Sequence, residues 1–115
     1  MVTPRPPQSR YRVPDGKRLV VEFLNVYGTV ADEQRAFAII TTSVNGNSLD
    51  YGFPANPIPT TPQFRTDSYL NQTVRLYADG GTDVVFRGYR MGSFRGEGFL
   101  FVNFSGYMVD LPSAR

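Results

Sequence analysis

The chain has 115 residues, a net charge of +2, and neither cysteine nor histidine. That length predicts one domain, and the two missing residue types exclude disulfides, thiolate or imidazole metal sites, and cysteine or serine–histidine nucleophiles. We therefore expect no cofactor, no transition metal and no enzyme activity. No apolar run approaches the about 20 residues of a transmembrane helix, so no membrane span is expected either.

The first ten residues, MVTPRPPQSR, are rich in proline and predict an extended N-terminal arm ahead of a single domain at 11–115. The arm lacks the apolar stretch of a signal peptide. Residues 1–18 carry five cations and one acid, whereas the remainder has an acidic excess. We favour a solvated basic tail over a phosphate-binding arm, so a nucleic-acid partner is not expected.

Six runs of β-branched and aromatic residues are each bounded by turn residues, which is typical of strands. The runs are 11–13, 18–28, 35–44, 68–78, 83–92 and 99–111. Turns are predicted at 14–16, 45–46 and 79–81, and the last two are predicted to close hairpins. This spacing predicts an all-β fold, an antiparallel β-sandwich of the jelly-roll type.

The stretch 50–64, DYGFPANPIPTTPQF, holds four of the nine prolines. It predicts an irregular crossover, because proline has no N–H to donate in a central strand. Phe53 and Phe64 are predicted to anchor it on the sandwich. A second interpretation makes the region a contact surface for a partner or a glycan, on which aromatic rings stack. The residues of that surface would be Tyr51, Phe53, Asn56, Phe64, Arg65 and Tyr69.

The predicted strands 18–28 and 99–111 are apolar on both faces. With regular alternation in the first of them, Leu19, Val21 and Phe23 share one face, and Val20, Leu24 and Val26 share the other. One face packs the core, and the second needs a cover. The arm and the proline loop could supply that cover, or a neighbouring subunit could. The second alternative predicts a homo-oligomer, with Arg5 and Arg10 reaching acidic groups of the neighbour.

Two acidic features are candidates for chemistry. Glu22 interrupts an apolar strand and could be a buried catalytic acid, but pairing with a cross-strand arginine, Arg75 or Arg87, is the favoured interpretation. Asp79 and Asp83 flank a glycine turn, yet a Ca²⁺ ion needs about six to eight oxygen ligands. A hairpin turn is therefore favoured over a metal site.

Three stretches carry a resemblance: VPDGKRLVVEFLNV (13–26), VRLYADGGTDV (74–84) and VNFSGYMVDLP (102–112). They resemble a group of small, mostly uncharacterised bacterial secreted β-sandwich proteins with a PxGKRLV strand opening, an RLYAD strand end and a closing SGYxVDxP. The resemblance spans about a third of the chain and implies a secreted sandwich. The segment 106–108 is also similar to the last strand of trimeric jelly rolls, which implies assembly. Neither resemblance brings catalytic residues.

These features predict a non-catalytic structural or interaction module, a self-associating subunit of a larger assembly. The alternative is a carbohydrate-binding module that uses the aromatic residues of the 50–69 region. Localisation is left open: the alternatives are the cytoplasm, secretion, and an extracellular or viral particle.

Overall fold

The computed structural model describes residues 8–31, 35–58, 65–91 and 99–112. All regular structure in these ranges is β. The strands are β1 Gln8–Arg12, β2 Lys17–Ala31, β3 Arg35–Val44, β4 Asn47–Pro54, β5 Asn56–Ile58, β6 Arg65–Asp79, β7 Asp83–Met91 and β8 Phe99–Asp110. They form two antiparallel four-stranded sheets, which we call sheet A (order β1-β7-β3-β4) and sheet B (order β5-β6-β2-β8). The predicted antiparallel β-sandwich is confirmed, and its jelly-roll connectivity stays a prediction.

The β3–β4 hairpin is the part of the fold that local sequence predicts best. The strand predicted at 35–44 coincides with β3, and Asn45 and Gly46 form the turn with φ of 53° and 78°. Two positive φ values match the twist of the flanking strands, and asparagine and glycine adopt them at low cost. Val44 and Asn47 pair directly across this turn.

The two predicted irregular segments are partly strand. Residues 8–10 of the predicted arm belong to β1, which pairs with β7, while 1–7 lie outside the described residues. The irregular crossover predicted at 50–64 is wrong in its first half, because β4 runs to Pro54 and Pro57 lies within β5. Both are edge strands, where a missing N–H breaks no ladder. Residues 59–64 lie outside the described residues.

The predicted hairpin between the strands that became β6 and β7 is wrong. β6 pairs with β2 and β5 in sheet B, whereas β7 pairs with β1 and β3 in sheet A. The 79–81 turn therefore crosses between the sheets and packs on the 14–17 turn. The N–H of Gly81 donates to the carbonyl of Val13 at 2.8 Å, and a Cβ on Gly80 would lie 2.6 Å from the carbonyl oxygen of Lys17. This tight contact explains why glycine occupies position 80.

A β-bulge at Glu22 decides which side chains of β2 enter the core. Val21 pairs with Gly106 of β8, but Phe23 pairs with Ser105, so Glu22 is an extra residue. An extra residue reverses the alternation of side chains. The side chains of β2 in the two buried clusters are accordingly Leu19, Val21, Leu24 and Val26. The predicted grouping of Leu19, Val21 and Phe23 on one face is wrong, and the bulge accounts for much of the two-sided apolarity.

The side chains of β8 alternate between the core and the outer face of sheet B. Leu100, Val102, Phe104 and Met108 pack against the buried clusters between the sheets. The alternate residues point outward, and Phe101 and Tyr107 are 55% and 47% exposed. β8 therefore has an apolar inner face and an outer face that carries exposed aromatic side chains.

Candidate functional site on the outer face of sheet B

The structure separates the residues that the sequence grouped around the proline loop. Phe53 is 7% exposed in the core, and Tyr51 packs beside it, so both point between the sheets. Asn56 and Tyr69 are directly paired in sheet B. Phe64 lies outside the described residues, as does the side chain of Arg65. The burial of Phe53 fits an anchor better than a contact surface.

Of the two arginines predicted to form an assembly arm, the structure describes only Arg10. Arg10 lies in β1 with its guanidinium 3.4 Å from the carboxylate of Asp83 in the same chain, and Arg5 lies outside the described residues. Arg12 approaches the same carboxylate at 3.3 Å. The carboxylate of Asp83, at the start of β7, therefore forms ion pairs with two arginines of β1 within sheet A.

Three asparagines form a row across the outer face of sheet B, which we call the asparagine row: Asn71 of β6, Asn25 of β2 and Asn103 of β8. The amide of Asn103 donates to Oδ1 of Asn25 at 3.0 Å, and the amide of Asn25 donates to Oδ1 of Asn71 at 2.7 Å. The bonds run in one direction across the strands. Asn25 is satisfied on both sides, while the two outer members keep unused hydrogen-bonding capacity.

An aromatic row lies two residues along the strands, and we define it as Tyr69, Tyr27 and Phe101. The Tyr27 and Tyr69 rings have centroids 4.7 Å apart, and Tyr27 stacks on Phe101 at 6.4 Å with 6° between the ring planes. Desolvation, followed by the side-chain hydrogen bond with Tyr27, raises the pKa of the Tyr69 phenol. The phenol therefore stays protonated, and the row presents a continuous aromatic strip.

The outer face is also aromatic and aliphatic near the start of β2 and the end of β8. Val20 of β2 points outward between its strand partners Tyr77 and Tyr107 and is still only 2% exposed. Of the exposed large hydrophobic residues in the described ranges, most lie on this face or just after β8: Phe23, Tyr77, Phe101, Tyr107, Val109 and Leu111. Apart from Arg18 and Glu22, the outward residues of β2 and β8 are uncharged.

Charged groups lie at the ends of this face and at the bulge. Arg18 forms an ion pair with Asp79 at one end of the face, with a nitrogen–oxygen distance of 3.1 Å. Near the other end, the hydroxyl of Thr29 donates a hydrogen bond to the carboxylate of Asp67 at 2.8 Å. Glu22 is exposed at the bulge. The side-chain hydrogen bond with Tyr77 is the largest cause of the raised pKa of Arg75, and the charge of Glu22 is the smallest of its causes.

The two arginines that were predicted as pairing partners of Glu22 lie in different sheets. Arg75 shares sheet B with Glu22, whereas Arg87 lies in sheet A and donates to Gln8 and Thr41. The Glu22 carboxylate is exposed, so the burial on which its candidacy as a catalytic acid depended is not found. In the described ranges no cluster of three or more acidic side chains could hold a metal ion, and no helix is long and apolar enough to cross a membrane.

A pocket of about 300 Å³ opens between the sheets where β1, β7 and β8 meet. Its apolar lining comes from Phe86, Leu100, Val102 and Phe104, and Ser9 contributes a hydroxyl. The pocket lies beside β8, whose residues Leu100, Val102 and Phe104 line it.

Sequence reasoning missed the asparagine row, although a signal was present. Asparagine is disfavoured in strands, yet one follows an apolar residue inside each of β2, β6 and β8. Their alignment depends on strand register, which a long-range pairing and a bulge set. No protein-family model, curated protein or solved structure matches the chain. The function proposed next therefore rests on the surface chemistry of sheet B.

Proposed function

We propose that the chain is a non-catalytic interaction module that self-associates through sheet B. The observation that carries this proposal is the outer face itself, on which Phe101 and Tyr107 are about half exposed beside further aromatic and aliphatic side chains. Monomers rarely expose contiguous apolar patches of this kind. Aromatic residues are also enriched in protein interfaces, where charged residues are depleted at the centre.

The size of the face suits a modest interface. β8 has 12 residues, which span about 40 Å, and the three long strands of sheet B span about 14 Å. Each copy therefore offers roughly 600 Å² of projected area, and two copies bury about 1,200 Å², at the lower end of stable interfaces. We expect a dimer at micromolar protein concentration and a monomer well below it.

Sedimentation of a matched pair of variants tests this proposal. Phe101 on sheet B and Leu49 on sheet A have similar exposure, 55% and 51%. Phe101→Ser should raise the dissociation constant about tenfold or more, because it removes an exposed aromatic contact. Leu49→Ser should leave it unchanged. A wild-type chain that is monomeric at every concentration contradicts the proposal.

Carbohydrate binding is the second candidate, and one observation favours it. The aromatic row and the asparagine row run side by side about 6.6 Å apart, the spacing of two residues along a strand. A sugar ring stacked on the first could exchange hydrogen bonds with the carboxamides of the second. Asn56, paired with Tyr69, would extend that amide set.

A polysaccharide pull-down and a glycan array separate the two candidates. Binding that Phe101→Ser abolishes, in a chain that stays monomeric, would favour the sugar. No binding to any glycan, together with concentration-dependent sedimentation, would favour self-association.

A further inference from the structure

The inter-sheet pocket, as we call the cavity of about 300 Å³ where β1, β7 and β8 meet, has an apolar interior. Two contacts between the sheets lie at its ends. Phe104 stacks on Phe86 with ring centroids 5.2 Å apart. Leu100 lies so close to the backbone of Gly88 that a Cβ there would come within 2.8 Å of its Cδ2. Val102 lies midway between these contacts on β8, where four residues span about 13 Å. The space is therefore elongated, which suits a hydrocarbon chain better than a compact ring.

Strand β1 forms the polar side of the pocket, with lining residues at Gln8–Tyr11. Ser9 pairs with Phe86, so the two side chains lie on the same face of sheet A, the face towards sheet B. The ring of Tyr11 meets that of Phe104 edge to face, with centroids 5.9 Å apart. All five residues of β1 are exposed. The pocket therefore reaches solvent at this strand, next to a hydroxyl group.

The charges beside this opening are mainly positive. Arg10, which also lines the pocket, and Arg12 share the carboxylate of Asp83, at nitrogen–oxygen distances of 3.4 and 3.3 Å. Arg87 of β7 donates to two neutral side chains and forms no ion pair within the described part of the chain. Three guanidinium groups thus accompany one carboxylate, an excess of two positive charges. A field of this sign draws anions to the opening.

Arg10 can bind another anion without leaving an unpaired acid. Its side chain is 56% exposed, and an exposed ion pair contributes little to stability. Asp83 keeps Arg12 as its partner when Arg10 turns away. The long side chain of Arg10 starts on the outer face of sheet A and can reach around β1 to the opening, which it already lines. There its guanidinium and the hydroxyl of Ser9 can donate to one acid head group.

We infer that the inter-sheet pocket binds a medium-chain fatty acid, with its hydrocarbon chain between the sheets and its carboxylate at β1. The chain contacts the apolar lining, and the carboxylate accepts hydrogen bonds from Arg10 and Ser9. At about 30 Å³ for each water-sized group, about 300 Å³ holds about ten such groups, which corresponds to a chain of about eight to ten carbon atoms. Because the pocket lies between the sheets, the inference is independent of the proposed self-association through the outer face of sheet B.

A series of saturated acids tests the size of the pocket. Isothermal titration calorimetry of the wild type, with each acid below its micelle concentration, should give a dissociation constant that falls about fourfold for each methylene added between butanoate and octanoate. Dodecanoate and longer acids should gain nothing more, because the chain then exceeds the cavity. Octanol, which has the same chain without the charge, should bind at least about tenfold more weakly than octanoate.

Arg10→Gln and Arg12→Gln form a matched pair that tests the position of the carboxylate. Each removes one positive charge from β1, and each leaves Asp83 with one arginine partner. Of the two arginines, only Arg10 lines the pocket. Arg10→Gln should weaken octanoate binding about tenfold and change octanol binding less than about threefold. Arg12→Gln should change the binding of both ligands less than about threefold.

A larger side chain at position 9 should block the pocket. Ser9 is exposed on β1, so the fold should tolerate Ser9→Phe, whose ring would occupy the space of the hydrocarbon chain. The binding of octanoate and of octanol should both be lost. Ser48→Phe is the control, because Ser48 is also an exposed serine of sheet A but does not line the pocket. It should bind both ligands like the wild type, and far-ultraviolet circular dichroism checks that both variants are folded.

The outcomes separate this inference from the proposed function. A wild type that binds none of the acids removes the fatty-acid site and leaves self-association standing. Equal effects of Arg10→Gln and Arg12→Gln, or equal effects of Ser9→Phe and Ser48→Phe, would overturn the placement of the ligand in the pocket. Octanoate binding that competes with self-association in sedimentation would place the ligand on the outer face of sheet B and overturn the inference as well.

Discussion

Gly106 of β8 should be intolerant of any side chain. It pairs with Val21 next to the β-bulge, where the backbone of β2 comes unusually close. A Cβ at position 106 would lie 1.9 Å from the carbonyl oxygen of Val20 and 3.0 Å from the Cα of Val21. Both neighbours are backbone atoms of a central strand, so neither can rotate away.

The cost of Gly106→Ala follows from this distance. A relaxed carbon–oxygen contact needs about 3.3 Å, so β2 and β8 must separate by more than an ångström at this point. Overpacking a core with one methyl group costs about 1–3 kcal/mol, and a backbone obstacle belongs at the upper end. We expect Gly106→Ala to lower the free energy of unfolding by about 3 kcal/mol.

Urea denaturation followed by far-ultraviolet circular dichroism measures this loss, with Gly52→Ala as the matched control. Gly52 is also a strand glycine, but a Cβ there meets nothing within 4 Å. Gly52→Ala should be neutral or stabilise by about 0.4–1 kcal/mol, because alanine reduces the entropy of the unfolded chain. If both variants unfold within about 1 kcal/mol of the wild type, the bulge at Glu22 is not where the structure places it.

Three further predictions concern the core and one surface ion pair. Phe53→Ala should cost about 3 kcal/mol in the same denaturation assay, because the ring is buried; a neutral result would remove Phe53 from the core. Thr42→Val should stabilise by about 1 kcal/mol, since Oγ1 of Thr42 is buried with no hydrogen-bond partner in the described part of the chain; a loss of stability would reveal a partner. The hydrogen bond and charge of Lys17 lower the pKa of Asp110, so this pair stabilises the fold at neutral pH and the contribution is lost as pH falls through that lowered pKa. Carboxyl titration by NMR should show that Lys17→Gln raises the pKa of Asp110 back towards its ordinary value, and an unchanged titration would exclude the pair in solution.

Local sequence chemistry predicts the elements whose determinants are local. β3 and its Asn45-Gly46 turn follow from β-branched residues and two positions of positive φ. The sandwich class follows from the spacing of the strands. Pro54 and Pro57 misled the prediction because proline excludes only a central strand, and the edge position of β4 and β5 depends on the whole topology.

The errors that matter for the site arise from long-range pairing. The Asp79-Gly80-Gly81 turn has the composition of a hairpin, but contacts with the 14–17 turn send the chain to the other sheet. Glu22 gives no local sign of a bulge, and the bulge alone decides whether Leu24 or Phe23 is buried. The asparagine row is visible only after β2, β6 and β8 are placed in register.

Solvent access of the outer face tests the central claim, self-association through sheet B, most directly. Tyr107 is 47% exposed on this face, and Leu49 on sheet A is 51% exposed. Nuclear magnetic resonance with a soluble paramagnetic agent measures the solvent access of both side chains. Over about a hundredfold rise in protein concentration, the relaxation that the agent causes at Tyr107 should fall, while that at Leu49 should stay the same. Solvent access at Tyr107 that is independent of concentration would contradict the account.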